Sequence, residues 1–155
     1  MRWARPASEF HRVTNSMLYD TSNIFAKIIR GEIPAVKVLE DERCIAFMDI
    51  MPWSDGHTLV IPKVQAMGLF DAPPDALAAL IKQTQIVARA VNAAFQPDGL
   101  RLVQNNSPGA GQTVFHLHFH IVPCYNDVPL RLGNAVMANL AVLQEHAQRI
   151  RNALT

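Results

Sequence analysis

The chain predicts an α+β fold, an antiparallel sheet of about five strands with helices packed on one face. Three observations lead there. Short β-branched and apolar runs follow one another across short turns. A long amphipathic helix interrupts them once, and a second closes the chain. No strand–helix–strand alternation runs through the sequence, so a parallel doubly wound sheet is not expected.

Taken in order, residues 1–20 read as a mobile N-terminal arm. They carry Arg2, Arg5 and Arg12, little apolar periodicity, and a second methionine at Met17, where initiation is the simplest alternative start. The arm has no hydrophobic run of the secretory kind. Residues 21–155 then form a single domain. Ile24, Ile28 and Ile29 have helical spacing over 24–30, with Gly31 as a C-terminal stop. Strands over 36–40 and 43–49 flank an Asp41-Glu42 turn and make a hairpin. Pro52, Asp55 and Gly56 mark a loop over 51–56, and 57–61 is a strand closed by Pro62. Pro73-Pro74-Asp75 opens a helix to about Phe95, whose stripe is Leu77, Leu80, Ile81, Val87, Val91 and Phe95. A strand over 100–105, a glycine-rich turn over 107–111 and a strand over 114–122 follow, the last ended by Pro123. Asn134 caps a final helix over about 134–153, with Val136, Leu140, Leu143, Ala147, Ile150 and Leu154 on one side.

Composition excludes several classes of function. Half of the residues are hydrophobic, enough for one sizeable core, and the formal net charge is only +1. A dedicated nucleic-acid binder usually carries a basic stripe, so no nucleic-acid partner is expected. No apolar run reaches the roughly 18 residues that span a bilayer, so no membrane partner is expected either. Cys44 and Cys124 are too few and too far apart for a disulfide framework. Free thiols fit a reducing cytoplasm, the expected location.

The informative segment is 116–120, His-Leu-His-Phe-His, which holds half of the six histidines. On a strand, His116, His118 and His120 would share one face while Leu117 and Phe119 entered the core. Three imidazoles on one face do nothing for packing. One metal ion bound by all three is poorly matched, because residues four apart on a strand are separated by about 13 Å, whereas zinc–imidazole bonds are about 2 Å. A pair with His57 would be feasible, but the expectation is no metal and no cofactor. Nucleophilic catalysis on phosphorus fits better. An imidazole is largely neutral at pH 7 and can form a phosphoramidate that water later cleaves. Such a nucleophile needs its remote nitrogen held by an acceptor. It also needs donors for the non-bridging oxygens, which the 109–113 turn and the flanking histidines could supply.

Residues 111–122, Gly-Gln-Thr-Val-Phe-His-Leu-His-Phe-His-Ile-Val, resemble the histidine triad signature. Residues 24–35, 41–50 and 56–63 resemble that family's other blocks in the right order, so the likeness covers about 22–125. It implies the family's fold and a chemistry of hydrolysis or transfer at a nucleotide's α-phosphate through a nucleotidyl-histidine. Nucleoside phosphoramidates or dinucleoside polyphosphates are the implied substrates. By position His118 would be the nucleophile. His120 and His116 would orient it and contact phosphate or leaving group, and His57 would complete the cluster. Asn105, Gly111, Gln112 and Thr113 match positions near the phosphates. Ile24, Phe25, Ile28, Phe47 and Ile50 match the apolar nucleoside pocket, with Asp49 on the ribose. A purine nucleotide is the implied ligand and a homodimer the implied assembly, joined through residues 77–95.

The departures are informative. Some relatives carry a zinc-binding Cys-x-x-Cys where this chain has Asn23 and Ala26, so that zinc site is expected to be absent. Related uridylyltransferases carry Gln in place of His120, which favours a hydrolase. The tail after Pro123 lacks the tryptophan of the purine-nucleoside phosphoramidase branch and instead resembles the bacterial branch. A purine-nucleotide-binding adaptor with incidental turnover would use the same pocket, and a metal-dependent hydrolase remains a third reading.

Overall fold

Every residue of the strands Cys44–Met48 and Thr58–Pro62 is buried, which requires cover on both faces of the sheet. The computed structural model describes residues 18–133 and 136–155. Its elements are α1 (Ile24–Ile29), β1 (Lys37–Glu40), β2 (Cys44–Met48), β3 (Thr58–Pro62), α2 (Pro74–Phe95), β4 (Gly99–Val103), β5 (Phe119–Cys124) and α3 (Leu140–Ala153), with a 3-10 turn at Pro108–Ala110 before β5. The five strands pair antiparallel throughout in the order β1-β2-β3-β5-β4. The expected α+β sheet is therefore present, with β3 and β5 in its middle.

Side chains alternate along each strand, so the two faces receive different residues. Cys44, Ala46, Met48, Val60 and Ile121 face the two long helices, packing with Leu80, Val87 and Val91 of α2 and Leu143, Ala147 and Ile150 of α3. Each Val, Leu, Ile or Met among them, fully buried, contributes about 1.5–3 kcal/mol of transfer free energy. Ile45, Phe47, Leu59 and Ile61 face the other way, against Phe25 and Ile28 of the short α1. A six-residue helix cannot cover a five-stranded face. The uncovered remainder becomes the cleft described below. Among the described residues no helix is long and apolar enough to cross a membrane.

Most boundaries shift by one or two residues from those expected, and two elements differ by more. The helix expected from residue 134 begins at Leu140, where the Asn139 side chain accepts from the Ala141 N–H at 2.8 Å. Asn134 lies outside the described residues, as do residues 1–17 of the arm. Val136 is 72 % exposed and precedes the helix, so the helical spacing of that segment overstated its length. The strand expected over 114–122 is β5, Phe119–Cys124, and it runs through Pro123. Beyond Ile121, which pairs with Thr58, β5 has lost β3 as a neighbour. The N–H and C=O of one strand residue point the same way. The Pro123 carbonyl accepts from the Ser54 hydroxyl at 2.7 Å, so the missing N–H falls on that open side and not in the β4 ladder.

Gly56, the residue before His57, is required by its surroundings. It sits at φ +87°, and a Cβ there would lie 2.8 Å from the Phe95 ring. That ring cannot retreat, because Arg149 lies 4.2 Å above it and His146 meets it edge-on at 5.1 Å. Gly56→Ala is expected to cost about 2–4 kcal/mol, combining left-handed strain with overpacking, read as a lower urea midpoint at unchanged m-value.

Candidate active site

The four histidines of interest cluster beside the cleft next to α1, His118 and His120 lining it and His57 and His116 buried behind them, but they do not arrive as one strand face. Only His120 lies on β5. His116 and His118 precede it, where Leu117 donates its N–H to the Ala66 carbonyl at 2.8 Å and the chain leaves the β3 ladder. Each imidazole consequently makes a different set of bonds, and those bonds assign the tautomers.

His118 Nδ1 is 2.6 Å from the His116 carbonyl oxygen, which can only accept. The proton is therefore on Nδ1, and Nε2 holds a free lone pair. The backbone N–H of Trp53 donates to His57 Nδ1 at 3.0 Å, which places the His57 proton on Nε2. That proton points at His120 Nδ1, 3.0 Å away, with the Asp49 carboxylate at 3.5 Å. His120 must then carry its own proton on Nε2. No buried side-chain nitrogen among the described residues lacks a partner. The bare Nε2 of His118 and the Nε2–H of His120 therefore open to the cleft that both residues line. One neighbour offers an electron pair and the other a proton, with ring centres 4.9 Å apart.

His116 is enclosed and lines no part of the cleft. Its Nε2 donates to the Pro62 carbonyl at 2.8 Å, and its Nδ1 receives the Tyr19 hydroxyl. The expected contact of His116 with phosphate or leaving group is not what the geometry offers, and His116 acts instead by holding His118 through its carbonyl. Gln112 is likewise outside the lining. Its Oε1 accepts the Ser107 N–H and its Nε2 donates to the Met67 and Val114 carbonyls, so the amide is committed to the turn. It stabilises Ser107 at φ +74°, a conformation that costs a non-glycine residue about 1–3 kcal/mol. The N–H groups of Ala110, Gly111 and Gln112 also bond within that turn. The polar side chains on this side that do line the cleft are Asn105 and Thr113.

The cleft measures about 410 Å³, and its apolar wall is Ile24, Phe25, Ile28, Phe47, Ile50 and Leu59. Phe25 meets Phe47 edge-on at 5.5 Å and His118 at 5.1 Å, so the nucleophile candidate is wedged against the slot. Gly111 and Asp49 also belong to the lining, as the sequence implied. Two aromatic residues were not anticipated. Trp53 stacks on His120 at 4.8 Å and 12°, and its loop is pinned by Arg131, which donates to the Trp53 and Pro52 carbonyls. An aromatic residue inside a polar loop just ahead of His57 was the available signal. Tyr19, assigned to the arm, left no such trace.

Asp49, His57 and His120 bring three potential metal ligands within 4.8 Å of one another. A metal on His57 Nε2 would displace its proton while Nδ1 is already accepting from Trp53 N–H, which demands an imidazolate. The arrangement suits a hydrogen-bond relay better than an ion. Nor does the Cys-x-x-Cys position offer ligands, since the Asn23 side chain caps α1 by accepting the Ala26 N–H at 2.9 Å.

Burial lowers the basicity of the whole cluster. It takes His57 down to about 3 and His116 and His120 to about 4, and it holds His118 below the usual imidazole value. A histidine kept neutral in the folded state takes up fewer protons than the unfolded chain, so acid favours unfolding. The melting temperature is expected to be level above about pH 7 and to fall between about pH 6.5 and 4. Asp49, raised by burial, opposes this only in the carboxylate range. A stability profile flat down to pH 4 would contradict the neutral cluster.

Known proteins share this architecture. The HIT domain family model matches residues 30–127. A crystal structure of a Hit-like protein from Bartonella henselae superposes with a TM-score of 0.83 at 49% identity, covering 88% of this chain and 100% of that one. An adenosine 5'-monophosphoramidase of Schizosaccharomyces pombe is 40% identical over 106 residues, 68% of this chain and 77% of the yeast protein. An adenylylsulfatase of Arabidopsis thaliana is 41% identical over 100 residues, 64% of this chain, which spans about half of the plant protein's length (51%). With the matched segment running from the end of α1 past β5 and enclosing all four histidines, the chain belongs to the HIT domain family.

Proposed function

We propose that this chain is a nucleotide hydrolase or nucleotidyl transferase acting at an α-phosphate through a nucleotidyl-His118 intermediate. One observation carries the reading. His118 presents an unprotonated Nε2 to the cleft while its Nδ1–H is tied to a carbonyl that can stabilise the positive charge formed on attack. The Nε2–phosphorus bond forms as the bond from phosphorus to the leaving group breaks. The leaving atom departs with the electron pair, and its growing charge meets the His120 Nε2–H. His120 gives that proton to the leaving atom. Water then attacks phosphorus, returning a proton to His120 Nε2 as the phosphorus–nitrogen bond breaks, and the nucleoside monophosphate and the neutral His118 imidazole are released. The apolar slot takes the base and Asp49 the ribose hydroxyls.

The similar proteins named for adenosine phosphoramidate and adenylylsulfate hydrolysis support mononucleotide substrates with small leaving groups, and dinucleoside polyphosphates complete the set to test. The test is incubation of the purified protein, after exhaustive chelation, with adenosine phosphoramidate, adenylylsulfate and diadenosine polyphosphates. Release of AMP from at least one is expected. No turnover of any, alongside tight nucleotide binding, would leave the adaptor reading, and activity lost on chelation would point to the metal-dependent one. A homodimer completes the proposal. β4 is the sheet's edge beside β5, and Ile81 and Ile86 of α2 are 46% and 42% exposed, features that suit self-association.

A further inference from the structure

Tyr19 and His116 are 97 residues apart in the chain, and their rings meet edge-on with centres 5.6 Å apart. His116 is fully buried. Its Nε2 faces the Pro62 carbonyl, so Nε2 carries the proton and Nδ1 is a lone pair with no access to solvent. The Tyr19 hydroxyl supplies the hydrogen bond that this lone pair needs. Phe25 of α1 also meets the His116 ring edge-on, with centres 6.3 Å apart, so both α1 and the segment that leads into it contact the imidazole. That segment has supports of its own. The Asp20 carboxylate accepts from the Ser22 N–H and hydroxyl, Asn23 donates to the Asp20 carbonyl, and Arg30 donates to the Thr21 carbonyl. Tyr19 is thus delivered to His116 by a short, braced bridge. The next link is the His116 carbonyl, which receives His118 Nδ1–H.

We infer that Tyr19 is a positioning residue for the nucleophile, fixing the His116 unit whose backbone carbonyl holds His118 in its reactive tautomer. The inference rests on the reading of His118 as nucleophile, and it gives the N-terminal segment a role in the site that lining residues alone do not reveal. Tyr19 lines no part of the cleft, so its loss acts on turnover and not on nucleotide affinity.

The experiment is Tyr19→Phe, which keeps the ring and removes the hydroxyl, studied in the full chain. Histidine 15N spectra report each tautomer directly. Wild type is expected to show His118 as a single Nδ1–H form. Tyr19→Phe is expected to show a mixture of His118 tautomers, with kcat down about tenfold and KM within about twofold. A His118 that keeps its single tautomer in Tyr19→Phe overturns the proposal, whatever the rate. Melting curves check the fold. If that variant does not fold, Arg30→Met frees the Thr21 carbonyl without touching the cleft and is expected to give the same mixing to a smaller degree. An unchanged spectrum there also overturns the proposal. Because the spectra need no substrate, a wild type that hydrolyses no nucleotide would end the proposed function while the Tyr19 link stayed decidable.

Discussion

His118→Ala is expected to lower kcat by at least about 10⁴-fold while changing nucleotide affinity by no more than about threefold. The asymmetry follows from where the side chain sits. Among the described residues Nε2 of His118 is the only bare ring nitrogen left facing the cleft, so none of the neighbouring histidines can replace it as nucleophile. His120 shows a proton there, and His57 and His116 have both ring nitrogens engaged. Affinity comes instead from the apolar wall of Ile24, Phe25, Ile28 and Phe47, which the substitution does not remove. His118→Asn should behave alike, because its amide offers no comparable nucleophile. Single-turnover kinetics and calorimetric titration with a nucleoside monophosphate measure the two quantities. Retention of activity in both variants would remove His118 from the mechanism.

For His120→Ala the expected loss depends on the leaving group. A basic leaving atom, such as the nitrogen of an alkyl phosphoramidate, needs the Nε2–H as it departs, and kcat/KM should fall by about 10²–10³-fold. A weakly basic group such as sulfate or a nitrophenolate leaves without that help, and the fall should stay within about tenfold. The His57 Nε2–H donated to His120 Nδ1 makes this proton assignment compulsory, and Trp53 stacked on the ring fixes its direction. Assaying one nucleoside series across leaving groups of graded basicity gives the slope. Equal losses across the series would show that His120 holds phosphate and does not assist departure.

Much of this site was legible in the residues. The glycine-rich turn, the three alternating histidines and the apolar residues of α1 and β2 matched an ordered family pattern, and the structure brings all but His57, His116 and Gln112 into the cleft lining. His57 and His116 stand just behind it, bonded to the two that remain. The error at 114–122 has a physical source. Alternation of histidine with apolar residues has the period of a strand. Yet strand geometry also needs a partner ladder, and β3 pairing with β5 ends at Val60 opposite Phe119. Gln112 was misplaced because a polar side chain beside a phosphate loop can serve the ligand or the loop, and spacing does not distinguish them.

What the sequence determines by itself is local. The 3.6- and 2-residue periods indicate which segments are helices and strands but not where each one begins, and the identities at 116, 118 and 120 make imidazole the candidate chemistry. The division of labour among those imidazoles belongs to the tertiary structure. A neutral histidine has two tautomers of similar energy, and the choice lies with whatever meets each nitrogen. Here the partners are Tyr19 and Pro62 for His116 and His57 for His120, residues 97, 54 and 63 positions away. Only folding brings them within bonding distance, and with them it decides which nitrogen is bare.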